Sequence, residues 1–363
     1  MASSTSAGDG LPRITVLGSL NMDLVSYVSH HPEPGETMTS NGFAVSPGGK
    51  GANQAIACAK LSRKKAPAAV EGQPLSTTDA TAHVSMVGAV GDDAHGTALK
   101  SNLEAHGVDV SGVQVVTEKG VPSGVAVIVV DEPTGQNRII FSPGANYKID
   151  DKAGTASLVP ADTQLLILQL EIPLEQVLRA LREARAAGIP VLLNPAPAPA
   201  TEEARSQLEA AFAVTVGHEG KGQGLAHLVL NETETAALVP GLAVSDLDTE
   251  EGLAKAAKYL LALGVENVVM TLGGRGVYYA SAASPSANGV GELLPPEKVA
   301  QVVDTTGAGD TFAGQYALEA VYATAAGQRF DCAAAVRKSN RAAAKTVQRK
   351  GAQDAIPWQD EVE

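Results

Sequence analysis

The hydrophobic positions of the chain form short apolar runs that alternate with longer stretches of helical periodicity. Short apolar runs are typical of buried strands, and apolar residues three or four apart are typical of amphipathic helices. Strands are predicted at 13–18, 84–87, 164–168, 190–193, 228–230, 267–271 and 276–280. Helices are predicted from the glycines after 47 to about 62, and at 94–106, 174–187, 202–211, 250–263, 310–326 and 331–348. This alternation predicts an α/β fold with a doubly wound, mostly parallel central sheet flanked by helices.

Two segments, 24–46 and 123–142, alternate only weakly between apolar and polar residues. The first is broken by HPEPG and the second by DEPTGQ, which are turn sequences. We therefore predict short antiparallel strands in both segments, combined into a small β-sheet that stands off the main domain. Such a sheet could act as a lid that keeps water away from a reacting group.

The domain organisation follows from the remaining segments, which lack periodicity. The first twelve residues are predicted to be a loose tail, and residues 13–363 to form one domain. Surface insertions are predicted at 63–81, 214–227 and 281–296, where Pro, Gly, Ala and Ser predominate.

Composition and charge narrow the class of function. The formal net charge of −13 over 363 residues argues against a nucleic-acid or membrane partner, because no basic stripe outweighs it. The only cysteines, Cys58 and Cys332, lie in Ala-rich helical patterns, which predicts small buried residues in a reducing compartment such as the cytoplasm. No apolar run is long enough to span a bilayer. The N-terminal residues lack the features of a signal or transit peptide.

A glycine-rich turn, GAGD, lies between an apolar run at 299–303, predicted to be a strand, and the helix predicted from Asp310. Gly307, Ala308 and Gly309 carry little or no side chain, so their N–H groups at a helix N-terminus favour an anion. A carboxylate among such donors, Asp310, indicates a general base for removing a proton from a hydroxyl. The turn therefore predicts phosphoryl transfer. The alternative is that Asp310 is a plain helix N-cap.

Further polar residues follow predicted strands or begin predicted helices. Lys50 and Asn53 lie three apart after GG, although the spacing is not that of a phosphate-binding P-loop. Asn21 and Asp23 follow the first strand, and their side chains point to one face. Open α/β sheets bind ligands at the carboxyl ends of their strands, so these two residues are candidates for ligand binding. The alternative is that they form an Asx turn. Glu171 follows another strand, and its alternative is to cap the next helix.

Two more strand ends carry candidate chemistry. Asn231 and Glu234 are three apart at a helix start, which suits hydrated Mg²⁺ near phosphates, although such residues are more often caps. The segment TLGGRG, at 271–276, is a tight glycine turn between two strands. It is either a mere hairpin or a place where a nucleotide approaches the backbone.

The segments GGKGANQA and DTTGAGDTF resemble the two signatures of the ribokinase-type (PfkB) carbohydrate kinases. LGSLNMD, LQLEIP, LNPAPA, NETE, TLGGRG and RKGAQ follow in the order of that family. The resemblance covers about residues 14–358. It implies a ribokinase-like fold and an enzyme that transfers phosphate from ATP to the 5-hydroxyl of D-ribose.

The resemblance also implies roles for individual residues. Asp310 would deprotonate the sugar hydroxyl, and the backbone of Gly307, Ala308 and Gly309 would form the anion hole. Asn231 and Glu234 would lie near Mg²⁺ and the phosphates, with Glu234 acting through water. The residues implied to hold ribose are Asn21, Asp23, Gly49, Lys50, Asn53 and Glu171. Those implied to line the adenine nucleotide are Thr271, Leu272, Gly273, Gly274, Arg275, Gly276, Gly309 and Asn340.

The resemblance further implies a monovalent cation, usually K⁺, beside the anion hole. Its positions, mostly backbone carbonyls, are Asp304, Thr306, Thr346, Arg349, Gly351 and Ala355. Ala355 stands where related enzymes often have Ser, so one side-chain oxygen is missing.

Two alternatives and one assembly remain open at this point. The alternatives are a sibling kinase for 2-deoxyribose, fructose or a nucleoside, and a non-catalytic sugar-binding sensor on the same fold. We expect a homodimer through the lid, since an exposed sheet edge favours pairing.

Overall fold

The computed structural model describes residues 10–65, 80–149, 157–212, 225–283 and 291–362. Most of the predicted tail and of the insertions predicted at 63–81 and 214–227, and part of the one at 281–296, lie outside these residues.

The large sheet and the helices that cover it form most of the described chain. Its strands are β1 (Arg13–Leu17), β4 (His83–Gly91), β5 (Asp109–Val116), β8 (Leu165–Leu168), β9 (Val191–Leu193), β10 (His227–Asn231), β11 (Asn267–Thr271), β12 (Val277–Ser281) and β13 (Glu292–Leu294). The helices are α1 (Lys50–Leu61), α2 (Ala94–Ala105), α3 (Leu174–Ala187), α4 (Glu202–Phe212), α5 (Glu232–Leu238), α6 (Glu250–Ala262), α7 (Ala308–Ala325) and α8 (Cys332–Thr346).

The order of the large sheet is β13-β12-β11-β10-β9-β8-β1-β4-β5. Every neighbouring pair in the order from β11 through β5 is parallel. The pairs β11–β12 and β12–β13, at one end of the strand order, are antiparallel. The predicted doubly wound, mostly parallel sheet is confirmed. Because the strands are parallel, their carboxyl ends meet at one edge, where open α/β sheets bind ligands.

Helices cover both faces of this sheet and create two apolar cores. Ile14 and Val16 of β1 pack with residues of α1, α2, α7 and α8, whereas Leu17 packs with residues of α3, α4, α5 and α6. Successive strand residues point to opposite faces, so a strand buried on both sides needs a continuous apolar run. This explains why the short apolar runs identified the central strands.

The small sheet has the order β3-β2-β6-β7 and contains β2 (Asn21–Val28), β3 (Gly42–Gly48), β6 (Gly124–Asp131) and β7 (Asn137–Ser142). The predicted small sheet is thus confirmed. It is not wholly antiparallel as predicted, because β2 and β6, which come from the two separate segments, pair in parallel. The two hairpins β2–β3 and β6–β7 are antiparallel.

Several local predictions were wrong. The run at 299–303 forms no strand: Val302 is 56% exposed, and the Val303 N–H donates to the carbonyl of Val347 at 2.7 Å. Helix α7 begins at Ala308, before Asp310. Strand β5 was not predicted, and β13 lies inside the loop predicted at 281–296. β5 alternates only irregularly between buried and exposed residues, which hid its period from the sequence.

Two expectations about the bulk properties can be compared with the structure. Cys58 and Cys332 are both buried free thiols, and burial is the main cause that raises the pKa of each. Among the described helices, none combines the length and the hydropathy that crossing a membrane would require.

Candidate active site

The predicted sugar-facing residues gather where β1 ends and α1 begins. Glu171, which follows β8, accepts hydrogen bonds through Oε2 from the hydroxyl of Ser19 at 2.6 Å and from the backbone N–H of Lys50 at 3.0 Å. The Asn21 amide donates to the same oxygen at 3.3 Å. Glu171 is therefore not a helix cap, since Pro173 is the N-cap of α3 and makes no side-chain cap bond. Its carboxylate joins the first strand to the first helix.

Gly49 makes this junction possible. Its φ of +88° lies in the region that favours glycine, and a Cβ there would lie 2.7 Å from the backbone nitrogen of Asn21. The tight turn directs the start of α1 at Glu171. Asn21 itself starts β2 and accepts a hydrogen bond from the amide of Asn146 at 2.7 Å, so it is held from both sides.

Asp310 is 8% exposed in the first turn of α7, whose N-cap is Gly307. The capping alternative for Asp310 is thus wrong. Its two carboxylate oxygens accept instead from the α1 side chains: Asn53 Nδ2 to Oδ2 and Gln54 Nε2 to Oδ1, both at 3.0 Å. Amide donors on both oxygens fix the orientation of this carboxylate. A carboxylate held in one orientation suits a proton acceptor.

Several charges meet at this site. Burial raises the pKa of Asp23 to about 7, and the nearby carboxylates of Glu171 and Asp310 add to the rise. Burial would lower the pKa of Lys50, but the carboxylates of Asp310, Glu171 and Glu234 outweigh it, and the net shift is upward. The Lys50 ammonium is thus held charged among three anions. Asp23, by contrast, changes charge near neutral pH.

The predicted anion hole lies at the N-terminus of α7. Gly307 has a φ of +75°, and a Cβ there would lie 3.1 Å from the Cα of Ala352. Gly309 is exposed in the first helical turn, and a Cβ there would meet nothing within 4 Å. The Ala308 N–H donates to the Thr305 carbonyl at 3.3 Å. The first turn of a helix leaves backbone donors without intrahelical partners, which favours an anion beside Gly309 and Asp310.

Asn231 and Glu234 form a capping box at the start of α5. The Glu234 N–H donates to Asn231 Oδ1, and the Asn231 N–H donates to Glu234 Oε2, both at 2.9 Å. The capping alternative is therefore confirmed for this pair. Within the described residues, no three His, Cys, Asp or Glu side chains are grouped to hold a metal ion. The carboxylate oxygens of Glu234 are ligands of the kind that Mg²⁺ prefers.

The residues predicted to line a nucleotide also converge. Thr271 lies opposite Asn231 in the β10–β11 register, which brings the glycine turn next to the capping box. A Cβ on Gly276 would lie 2.0 Å from the carbonyl oxygen of Leu294, and the Asn340 amide donates to the carbonyl of Pro295 at 3.1 Å. The turn, the end of β13 and α8 therefore meet at one place.

The side chain of Arg275 does not point freely into this region. Its guanidinium donates to the Leu247 carbonyl at 2.8 Å and forms an ion pair with Glu232. Leu272 is buried, and only Gly273 to Arg275 form a short helical turn.

Two of the residues predicted to surround a monovalent cation, Thr306 and Gly351, contact Asp304. Its carboxylate accepts from the N–H groups of Thr306 and Gly351, both at 2.9 Å. Burial opposes these hydrogen bonds, but they prevail and lower the pKa of Asp304. The Thr346 hydroxyl contacts that of Thr311 in α7 at 2.9 Å. Carboxylate, hydroxyl and carbonyl oxygens are the donors that hard cations prefer, so the set fits K⁺ in kind.

The other two members of this set differ in their contacts. The guanidinium of Arg349 pairs with Glu361, with a shortest distance of 2.7 Å, so only its backbone is available to a cation. Ala355 is fully buried, and its N–H donates to the Ala352 carbonyl at 3.2 Å.

Four site residues were missed from the sequence. Asn194 follows β9 at the same sheet edge. Like Glu171 and Asn231, it is a polar residue directly after a predicted strand, and that criterion would have found it. Ser19 follows β1 in the same way. Gln54 and Gln353 follow no strand, but they lie in GGKGANQA and RKGAQ, two of the segments that carry the family resemblance, and each enters the site through a long-range contact.

The chain was compared with known proteins. A family model described as pfkB family carbohydrate kinase matches residues 11–359. The chain is 40% identical to a ribokinase of Schizosaccharomyces pombe over 95% of this chain and 94% of the relative. It is 33% identical to a deoxyribokinase of Salmonella typhi over 95% of each. A structure of an Arabidopsis thaliana ribokinase complexed with ribose and ATP superposes with a TM-score of 0.73 at 29% identity, covering 97% of each chain.

Proposed function

Since the chain belongs to the pfkB family of carbohydrate kinases, we propose that it transfers a phosphoryl group from ATP to the 5-hydroxyl of D-ribose. The observation that carries the proposal is the buried Asp310 carboxylate, oriented by two amides of α1 in the first turn of α7. The ribokinases among the similar proteins, one of them bound to ribose and ATP, support the choice of substrates.

The reaction begins with the sugar held at the end of β1 and the start of α1. Asn21, Asp23, Lys50, Asn53 and Glu171 provide donors and acceptors for its hydroxyls, and the turn at Gly49 lets the sugar approach the backbone. A site built from such hydrogen bonds discriminates strongly by hydroxyl pattern.

Asp310 then accepts the proton of the 5-hydroxyl as the oxygen attacks the terminal phosphorus of ATP. The bond from that phosphorus to the bridging oxygen breaks, and ADP leaves. The backbone N–H groups at 307–309 stabilise the negative charge on the transferring group, and the positive Lys50 lies among the surrounding carboxylates. Positioning and electrostatic stabilisation account for most of the rate in reactions of this type.

Two ions complete the proposed site. When bound to the nucleotide, Mg²⁺ neutralises charge on the phosphates, and Asn231 and Glu234 would hold it, Glu234 through water. A K⁺ ion would be held at Asp304, Thr306, Thr346, Arg349, Gly351 and Ala355, and would keep the loop beside the anion hole in place. The nucleotide would lie along the turn at 271–276, with Asn340 on its far side.

The runner-up function is phosphorylation of 2-deoxyribose, favoured by the similarity to a deoxyribokinase. The two sugars differ by one hydroxyl, so kcat/KM for each distinguishes them. A ribose kinase that hydrogen-bonds the 2-hydroxyl should prefer ribose by orders of magnitude. Equal values, or a preference for 2-deoxyribose, would reverse the assignment.

The assay that tests the proposal is ATP turnover with ribose and Mg²⁺, using the wild type and Asp310→Asn. We expect the variant to fold, to bind ribose and to lose turnover by about 10²–10⁴-fold, the usual contribution of a general base. The matched control is Asp331→Asn, since Asp331 caps α8 through Ala334 and Asn caps equally well. Undiminished turnover in Asp310→Asn would contradict its role as base. Tight ribose binding without turnover in the wild type would favour the sensor.

The same assay, run in K⁺ and again in Na⁺, tests the cation site. We expect faster turnover in K⁺. Turnover indifferent to the cation would remove that site from the proposal, and Ala355 would be the first residue to examine.

The chain forms a homodimer through the small sheet. The support is an exposed apolar surface on the face opposite Asp23. Strand register places Val45, Leu24, Val127 and Ile140 in one row across the sheet, with Phe43 two residues from Val45 on the same face. Phe43 is 63% and Ile140 is 67% exposed. A second copy of the chain would cover them.

A further inference from the structure

The hydrogen bonds around Asp310 have a direction that its carboxylate imposes. An ionised carboxylate only accepts hydrogen bonds, so Asn53 and Gln54 must both present their NH₂ groups to it. The amide oxygen of Asn53 therefore points away from Asp310. That oxygen is buried, since Asn53 is a buried residue, and it needs a donor of its own.

Gln353 supplies that donor. Its Nε2 lies 2.9 Å from Asn53 Oδ1, and its own Oε1 accepts from Asn102 Nδ2 at 2.6 Å. The chain of donors thus runs from Asn102 through Gln353 and Asn53 to Asp310. If either amide rotated by half a turn, two oxygens or two NH₂ groups would face each other.

Gln353 is itself held firmly. It is 5% exposed, and its backbone carbonyl accepts a hydrogen bond from the ammonium of the buried Lys60 at 3.1 Å. It lies two residues after Gly351, whose N–H donates to Asp304. The segment around Gly351 and Gln353 therefore contacts both the Asp304 loop and the amide that orients Asp310.

We propose that Gln353 is a positioning residue for the reaction. It holds the Asn53 amide in the one orientation that donates to Asp310, and so keeps this carboxylate aligned with the sugar hydroxyl. It acts through Asn53 and contacts no reacting atom. The inference rests on the proposed function in one respect, the role of Asp310 as base.

Two substitutions separate positioning from mere packing. Gln353→Met keeps the length of the side chain and removes the donor. Gln353→Glu replaces the donor by a carboxylate that, when ionised, only accepts, which opposes the observed orientation of Asn53. We expect kcat/KM for ribose to fall about tenfold with Met and a hundredfold or more with Glu, because a misdirected Asn53 amide weakens its hydrogen bond to the Asp310 carboxylate.

A double-mutant cycle with Asn53→Leu provides the readout that a packing defect would not change. If Gln353 acts only through Asn53, Gln353→Met should lower kcat/KM about tenfold in the wild type and by less than about twofold in the Asn53→Leu background. An independent packing defect would lower kcat/KM by the same factor in both backgrounds. Unfolding midpoints of all variants verify that they are folded.

The matched control is Gln315→Met. Gln315 is a buried glutamine in α7 whose amide donates to Glu319 at 2.9 Å, away from Asp310. We expect its kcat/KM to stay within about twofold of wild type. Undiminished kcat/KM in Gln353→Met, or an equal loss from Gln353→Met in the Asn53→Leu background, would overturn the inference while the wild-type turnover upheld the proposed function.

A crystal structure of Gln353→Glu gives an answer even if ribose and ATP are not the substrates. We expect the Asn53 side chain to move away from Asp310, beyond the 3.0 Å that separates them in the wild type. An unchanged contact between Asn53 and Asp310 would also overturn the inference.

Discussion

Single residues in the site work under the influence of their neighbours' charges. Asp23 lies near Glu171 and Asp310, and burial together with these carboxylates raises its pKa to about 7. Lys50 experiences the opposite balance, because the same two carboxylates and Glu234 keep it protonated in spite of burial. Holding like charges close together lowers the stability of the folded protein. Such destabilised groups are typical of functional sites.

Asp23 leads to a prediction about stability and pH. Its pKa is raised on folding from 3.8 to about 7, so between these values the folded state binds more protons than the unfolded state. The contribution of Asp23 to the free energy of unfolding must therefore fall as the pH rises from about 4 to 7. Asp23→Asn removes this contribution. We therefore expect the free energy of unfolding of the variant at pH 8 to exceed that of the wild type by roughly 1–4 kcal/mol, at 1.4 kcal/mol per pKa unit.

The measurement is urea unfolding of both proteins at pH 4.5 and pH 8 without sugar. The difference between them should be larger at pH 8. A difference that is the same at both pH values would mean that Asp23 is not strained by its neighbours.

At the scale of elements, α1 and α7 set the geometry of the site. Both helices begin there, one carrying Asn53 and the other Asp310, and they pack closely along their length. Gly314 lies against Ala57 and Cys58, and the Cys58 thiol contacts the Gly314 carbonyl at 3.6 Å. Small residues allow this close approach, which brings the amides of α1 within hydrogen-bond distance of the Asp310 carboxylate.

Gly314→Ala tests this packing. In an exposed helix the change would stabilise by about 1 kcal/mol. Here the added Cβ would lie 2.5 Å from Ala57 Cβ and 3.0 Å from the Cys58 nitrogen, so the helices must separate. We expect the free energy of unfolding to fall by about 1–3 kcal/mol.

Adding Ala57→Gly should restore part of the loss, because it removes the nearest atom. Urea unfolding of the four proteins of this double-mutant cycle measures the coupling. A Gly314→Ala variant that is as stable as the wild type would show that the contact between the helices is loose.

At the scale of the whole molecule, the small sheet carries the surface through which we propose that the chain dimerises. The small sheet contacts the large domain near Met22 and Asp23. Its face opposite Asp23 exposes apolar side chains that a monomer would leave in water. Ile139 and Ile140 are both exposed. They lie on different faces of the sheet, because successive strand residues point to opposite faces.

This alternation supplies a matched pair for testing the dimer. We expect the wild type to sediment as a dimer at micromolar concentration and Ile140→Asp to sediment as a monomer, since a buried unpaired charge is costly. Ile139→Asp, on the other face, should remain a dimer. A monomeric wild type, or equal behaviour of the two variants, would rule out the proposed interface.

The sequence was informative where one local pattern had one structural meaning. The central strands β1, β8 and β11 are buried on both faces, so each places apolar residues on both faces within a short run. The site residues at strand ends, such as Glu171, were found because parallel strands direct their carboxyl ends to one edge. The run at 299–303 misled because apolar content alone does not make a strand, and there the backbone donates to Val347 instead.

The sequence by itself determined the fold class, the order of most strands and helices, and the polar residues that meet at the sheet edge, because these depend on local periodicity and on the geometry of parallel sheets. Only the tertiary structure decided the parallel pairing of β2 with β6 and the contacts of Gln54 and Gln353 with the amide network of Asp310. Those contacts join residues hundreds of positions apart, and the direction of a buried amide depends on its partners in space. No local pattern in the chain records such a partner.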